Sequence, residues 1–111
     1  IYHRKSSDGG ATWNAIRRLS WTSGQSAYSA LAVDSTNALH VIWRDYAPGN
    51  YEIYYKSSAN GGSTWSPTQR LTWTSGASMN PAMAIDSDDT IHIVWDDSTP
   101  GNTEIYYKNG N

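Results

Sequence analysis

Sliding the chain along itself by 52 positions pairs residue 1 with residue 53 and carries the match to the end without a gap. About half of the aligned pairs are identical, and most of the others are conservative. "RLSWTSG" (Arg18–Gly24) returns as "RLTWTSG" (Arg70–Gly76), "LHVIWRD" (Leu39–Asp45) as "IHIVWDD" (Ile91–Asp97), and "PGNYEIYYK" (Pro48–Lys56) as "PGNTEIYYK" (Pro100–Lys108). Self-similarity at a fixed period marks a repeat architecture, in which each unit buries its faces against its neighbours. The 111 residues are therefore two copies of a 52-residue unit plus a seven-residue overlap.

Each unit reads as four short strands. The first is "SALAVDS" (Ser29–Ser35), the second "ALHVIWRD" (Ala38–Asp45), the third "YEIYYKSS" (Tyr51–Ser58) and the fourth "TWSPTQRLT" (Thr64–Thr72). Turn-forming residues separate them: "DSTN" and "DSDD" after the first strand, "APGN" and "TPGN" after the second, and a Gly-rich box after the third. Val41, Ile42 and Trp43, and again Ile93, Val94 and Trp95, are apolar at consecutive positions. A strand covered on one face alternates, whereas a strand covered on both does not. Helical periodicity is absent. The expected class is all-β: tandem four-stranded antiparallel sheets sandwiched between neighbours, as in the blades of a β-propeller. A jelly roll or immunoglobulin-like sandwich has similar strand spacing but no such self-match.

Composition narrows the partners. A net charge of −2 leaves no basic stripe for phosphates, so nucleic acid is not expected. No apolar run approaches the roughly 18–20 residues of a membrane span. No signal peptide is visible. With Cys at zero there is neither a disulfide framework nor a thiolate metal site. The apolar mass lies in six Trp and eight Tyr, which offer wide flat surfaces with polar tips.

The box after the third strand is "SSDGGATW" (Ser6–Trp13) and "SANGGSTW" (Ser58–Trp65). Asp8 and Asn60 are placed to accept hydrogen bonds from their own turn, the glycines allow positive φ, and Trp13 and Trp65 are expected to fold over the hairpin and bury a large face. Ser6, Asp8, Gly10, Thr12 and Trp13 fit S-x-D-x-G-x-T-W, as do Ser58, Gly62, Thr64 and Trp65, with Asn60 departing from the Asp. In this the chain resembles the Asp-box, or bacterial neuraminidase repeat, propellers, and the resemblance runs along its whole length. It implies that the box is a structural hairpin on the face opposite the ligand site, and that the protein is secreted or on the cell surface.

In that family the sialidases need three arginines gripping a carboxylate, a Tyr nucleophile with its Glu, and an acid/base Asp. The five arginines here sit in no matching motif, and Glu52 and Glu104 are one repeated position. No catalytic set is found, no cofactor is implied, and sialidase or glycosidase activity is a distant third reading. His40 and His92 are equivalent and flanked by apolar residues, which fits a satisfied core histidine better than a metal ligand. "DSDD" (Asp86–Asp89) lacks the Gly and the distant Glu of a calcium loop and reads as a tight turn.

Strand alternation gathers the remaining loops at the other end: Ser20–Tyr28 with Thr72–Asn80, and Arg44–Tyr51 with Asp96–Thr103. They carry Trp21, Trp73, Tyr46, Arg44, Asp96, Asn50 and Asn102, a set suited to stacking on the C–H face of a sugar while polar groups bond its hydroxyls. The competing reading has Trp21 and Trp73 plugging the seam between sheets, and Asp45 and Asp97 capping the PGN turns. The chain is thus expected to be a non-catalytic module with a carbohydrate ligand, or a purely structural two-blade unit.

Organisation adds one more expectation. Residues 1–20 read as strands three and four of a shared blade, 27–72 as a complete blade, and 79–108 as strands one to three of the shared blade. Two blades cannot close a ring, since propellers have roughly four to eight. The expected partner is therefore the chain itself, head to tail. A trimer of six blades is expected first, and a tetramer of eight second.

Overall fold

The structure is a computed structural model and describes residues 1–110. Among the described residues it contains nine strands and no helix. β1 (Tyr2–His3) and β2 (Arg17–Arg18) form a two-stranded sheet. β3 (Ser26–Val33), β4 (Leu39–Asp45), β5 (Glu52–Ser58) and β6 (Gln69–Arg70) form a four-stranded sheet in chain order. β7 (Ser78–Ile85), β8 (Ile91–Asp97) and β9 (Glu104–Gly110) form a three-stranded one. All pairings are antiparallel. The repeat in sequence is a repeat in register: Trp43 lies opposite Tyr54 as Trp95 lies opposite Tyr106.

The strand expected over Thr64–Thr72 is shorter than its sequence promised. Only Gln69 and Arg70 pair with β5. Pro67 has no N–H to give to a ladder. Before it, the Thr64 N–H is taken by Asn60 Oδ1 and the Ser66 N–H by Ser57 O, so this stretch closes the hairpin.

The middle sheet is covered on both faces. Val41 and Trp43 of β4 pack with Leu19 and Ile1 of the first sheet, and Trp65 and Tyr54 join them. Ile42 and Ile53 pack against Ile93 and Trp95 of the third sheet, flanked by Leu71, Tyr55 and Met83. The consecutive apolar residues of β4 thus serve two seams. The expectation that every sheet is sandwiched holds for this one and not for the third. Val94 and all of β9 are exposed, with no described sheet packed on them, and on β3 of the middle sheet Leu31 and Val33 are bare where the first sheet does not reach.

Buried carboxylates fasten the loops to the sheets. Asp45 accepts from Trp43 Nε1 (3.2 Å), Ser26 Oγ (2.5 Å), Thr22 Oγ1 (3.1 Å) and the Ala47 N–H (2.9 Å). Asp97 repeats this with Trp95, Ser78 and the Thr99 N–H. These aspartates cap the PGN turns. Glu52, fully buried, accepts from Thr72 Oγ1 (2.5 Å) and the Thr74 N–H (2.9 Å), with Arg70 Nη2 at 3.3 Å and Ser78 Oγ, whose proton goes to Asp97, also at 3.3 Å. It ties β5 to the loop that enters β7. Removing it strands buried donors, so Glu52→Ala is expected to cost about 3–5 kcal/mol in chemical denaturation. Glu104 holds the same place in the repeat but is exposed, so Glu104→Ala in the dilute monomer is expected to change the midpoint little.

Candidate functional site

The two boxes are built alike. In the first, Thr12 donates to Asp8 from its N–H (2.9 Å) and its hydroxyl (2.5 Å), Ser6 Oγ donates to Asp8 (2.7 Å), and the Gly10 N–H donates to Ser6 Oγ (2.8 Å). In the second, Asn60 Oδ1 accepts from the Thr64 N–H (2.9 Å) and Ser58 Oγ (3.0 Å), while its Nδ2 donates to Thr64 Oγ1 (2.7 Å). An amide therefore serves as well as a carboxylate. The glycines of each box have positive φ, and a side chain on Gly62 would run into the His3 ring.

The two tryptophans part company. Trp65 is half-buried, its Nε1 donates to Gly62 O (3.1 Å), and its ring meets His3 edge-on at 5.3 Å. Trp13 is 55 % exposed, so the expectation that it buries a large face does not hold within one chain. Trp65 has the preceding sheet to lie on. Trp13 belongs to the first sheet and has none.

The aspartate turns hold the histidines. The Thr36 and Ala38 N–H groups donate to Asp34 Oδ1 at 2.9 and 3.0 Å, and His40 Nε2 lies 2.8 Å from Asp34 Oδ2. A carboxylate only accepts, so Nε2 carries the proton and a neutral His40 accepts at Nδ1 from the Tyr55 hydroxyl at 2.8 Å. Asp86, His92 and Tyr107 repeat the relay. In the "DSDD" turn, Asp89 reaches across to Ser35, whose N–H donates at 2.9 Å, pinning one sheet to the next.

The residues expected to meet a ligand fall into two groups. Trp21 and Trp73 are 65 % and 67 % exposed, so neither plugs a seam. Each lies beside two cations: Arg18 and Lys56 at 5.7 and 5.1 Å from the first ring, Arg70 and Lys108 at 5.4 and 5.9 Å from the second. Arg44 is buried between the faces of Tyr28 (3.9 Å) and Tyr51 (4.5 Å), and Tyr46 meets Tyr51 edge-on at 5.0 Å. Gln25 joins this group through the Tyr51 hydroxyl.

Asn50 is spent on structure, donating to Glu52 and to the carbonyls of Thr74 and Gly76. Asn102 is exposed in its turn. Asp96 accepts from Asn80 Nδ2 at 2.7 Å.

Tyr28 was not singled out from the sequence, although a signal was there. Tyr28, Arg44, Tyr46 and Tyr51 align with Asn80, Asp96, Ser98 and Thr103. They lie where the two units disagree, and the fold brings them together. No family model matches the chain, and no curated protein matches it in sequence.

Hydrogen bonds hold several carboxyls below their ordinary value of 3.8. The Thr12 hydroxyl, the Thr12 N–H and the Ser6 hydroxyl bring Asp8 down to about 2. Thr36 and His40 lower Asp34, and His92 and the Thr90 N–H lower Asp86. A depressed carboxyl stabilises the fold above its unfolded value, and that contribution fades as pH falls through the folded one. Thermal melts are therefore expected to be level from neutral pH to about pH 4–5 and to fall between about pH 4 and 2. Asp8→Asn, which copies Asn60, is expected to keep the neutral-pH melting temperature and to flatten part of the acid decline.

Proposed function

We propose that the chain is a non-catalytic, carbohydrate-binding module built of Asp-box-like propeller blades, closing head to tail with copies of itself into a ring. Three chains of two units give 3 × 2 = 6 blades, within the roughly four to eight of propellers; four chains giving eight are the second choice.

The ring rests on one correspondence. The second seam places Met83 and Ile93 on Ile42 and Ile53. Moving each residue by one repeat turns Met83 into Leu31, and Ile42 and Ile53 into Val94 and Ile105. All three are bare, Ile105 at 73 % against 0 % for Ile53. The two open faces are thus the two halves of an interface the chain already contains. β1 and β9 then stand at the same place in the shared sheet, and one of them gives way.

For the ligand, the observation that carries the reading is the cluster where the repeats disagree. The exposed rings of Tyr28 and Tyr46 flank the Arg44 group. Among the described residues that guanidinium has no carboxylate partner: Nη1 donates to Met79 Sδ at 3.3 Å, and Nε has no acceptor. Aromatic faces beside an uncommitted cationic donor suit a hydroxyl-rich ring. The Arg44–Met79 contact also moves by one repeat, into Asp96 beside Ala27 of the next copy, which brings an acceptor up to Tyr28.

The second reading, a scaffold without a ligand, draws support from the cations already against Trp21 and Trp73. A glycan array separates the two. Binding by the native chain, weakened about tenfold or more (about 1.4 kcal/mol) in Tyr28→Ala and Tyr46→Ala, supports the module. Silence on every glycan leaves the scaffold. Sedimentation equilibrium tests the ring: a trimer is expected, and a monomer at high micromolar concentration overturns it.

A further inference from the structure

We propose that Trp13 of one copy is the plug that fills the cleft between the second and third sheets of another, an inference that rests on the ring proposed above. The cleft has a volume of about 360 Å³ and is lined by Tyr55, Gln69 and Leu71 on one side and Ile91 and Ile93 on the other.

The corresponding place at the first seam is already filled, by Trp65. Its indole stands edge-on to His3 and packs with Leu19, Val41 and Trp43. One repeat further along, His3 becomes Tyr55, Leu19 becomes Leu71, Val41 becomes Ile93 and Trp43 becomes Trp95. Of these, Tyr55, Leu71 and Ile93 line the cleft, and Trp95 belongs to the buried cluster with Ile93. The frame matches too: Lys56 Nζ donates to Leu19 O, and Lys108 Nζ to Leu71 O, each at 2.9 Å. The Trp73 ring lines the cleft as the equivalent of Trp21; what the cleft lacks is an indole in the place of Trp65, and in this sequence the residue equivalent to Trp65 is Trp13.

Trp13 is presented for that role. Its hairpin is already locked by the Ser6, Asp8 and Thr12 hydrogen bonds that its twin makes through Ser58, Asn60 and Thr64. The box itself is ordered before docking, which lowers the entropic cost, while the displacement of β1 or β9 from the shared place adds to it. Gly10 carries no Cβ at the point where Gly62 lies on His3, so the hairpin has the same room over Tyr55. The first sheet packs on the Val41 and Trp43 face of β4, while the cleft opens on the opposite face. The Trp13 indole cannot reach the cleft of its own chain, so a Trp13 that fills it comes from a second copy.

Trp13→Ala is expected to weaken association about 10- to 100-fold per joint, the worth of burying one large apolar side chain. At sub-micromolar concentration, where the chain is monomeric, its melting temperature is expected to stay at the native value, because the ring is exposed there. Trp65→Ala is expected to lower that temperature. A second readout guards against a misfolded variant. In chain labelled with fluorotryptophan, the Trp13 ¹⁹F resonance, identified by its loss in Trp13→Phe, is expected to shift as concentration drives assembly. A native chain that assembles while Trp13→Ala assembles equally well, or while the Trp13 resonance stays put, overturns the plug and leaves the ring. A native chain that stays monomeric throughout overturns the ring, and the plug with it.

Discussion

Val41 and Trp43 point to one side of β4, and Ile42 to the other. A strand with apolar groups on both faces must lie in a sheet that is covered twice, and an open row of such units leaves a face uncovered at each end. Most of the rest follows. The middle sheet is stable because it has two neighbours. Bare apolar residues lie where no described sheet packs, on the outer side of the third sheet and on β3 of the middle sheet, which the two short strands of the first sheet do not cover. The exposed Leu31, Val94 and Ile105 are the same design as the buried Met83, Ile42 and Ile53, differing in company and not in chemistry.

Apolar cover alone does not hold the sheets in register, since flat faces can slide. Buried acids do that work. Glu52 collects hydroxyl and amide donors from the loop that enters β7, and Asp45 and Asp97 do the same for the loops at their own strand ends. A buried carboxylate is tolerable only when its oxygens are occupied. The acids thereby dictate where the Thr of "WTSG" and the Ser two residues beyond it must sit, which explains why Thr22 and Ser26 recur as Thr74 and Ser78. It also accounts for Gly24 and Gly76, where a Cβ would collide with the backbone of the PGN turns.

How much of this could be read from the sequence depends on how local each feature is. The central strands, the Asx turns at Asp34 and Asp86 and the box hairpins came through because alternation, turn residues and a side chain bonding four positions ahead all lie within a short window. The fourth strand did not, since Pro67 and the closing hairpin consume the residues expected to pair. Trp13 was misjudged because its burial depends on a neighbour outside its own hairpin. Asn50 looked like a free polar group in a turn, and only the fold brings it to the Thr74 and Gly76 carbonyls. The Arg44 cluster was half-legible: Arg44 and Tyr46 stood out by type, while Tyr28 could be found only by asking where the copies differ and which of those places meet.

That last point bears on what divergence between repeats means here. Tyr28 and Asn80 occupy the same bulge, where the pairing of the first strand slips, and both have positive φ, 55° and 50°. Asn visits that region readily, because its short polar side chain finds local partners, and Asn80 has one in Asp96. A bulky ring does not, and a strained residue of this kind costs on the order of 1–3 kcal/mol unless its surroundings hold it. Around Tyr28 the surroundings are the Arg44 guanidinium stacked on its face, itself backed by Tyr51. The cheaper solution is present one repeat away, so the fold does not require the dearer one. A strained aromatic kept against an arginine in one unit and absent from its twin is an asymmetry the repeating scaffold does not need, and it is what supports the proposed ligand site there over the matched indoles of Trp21 and Trp73.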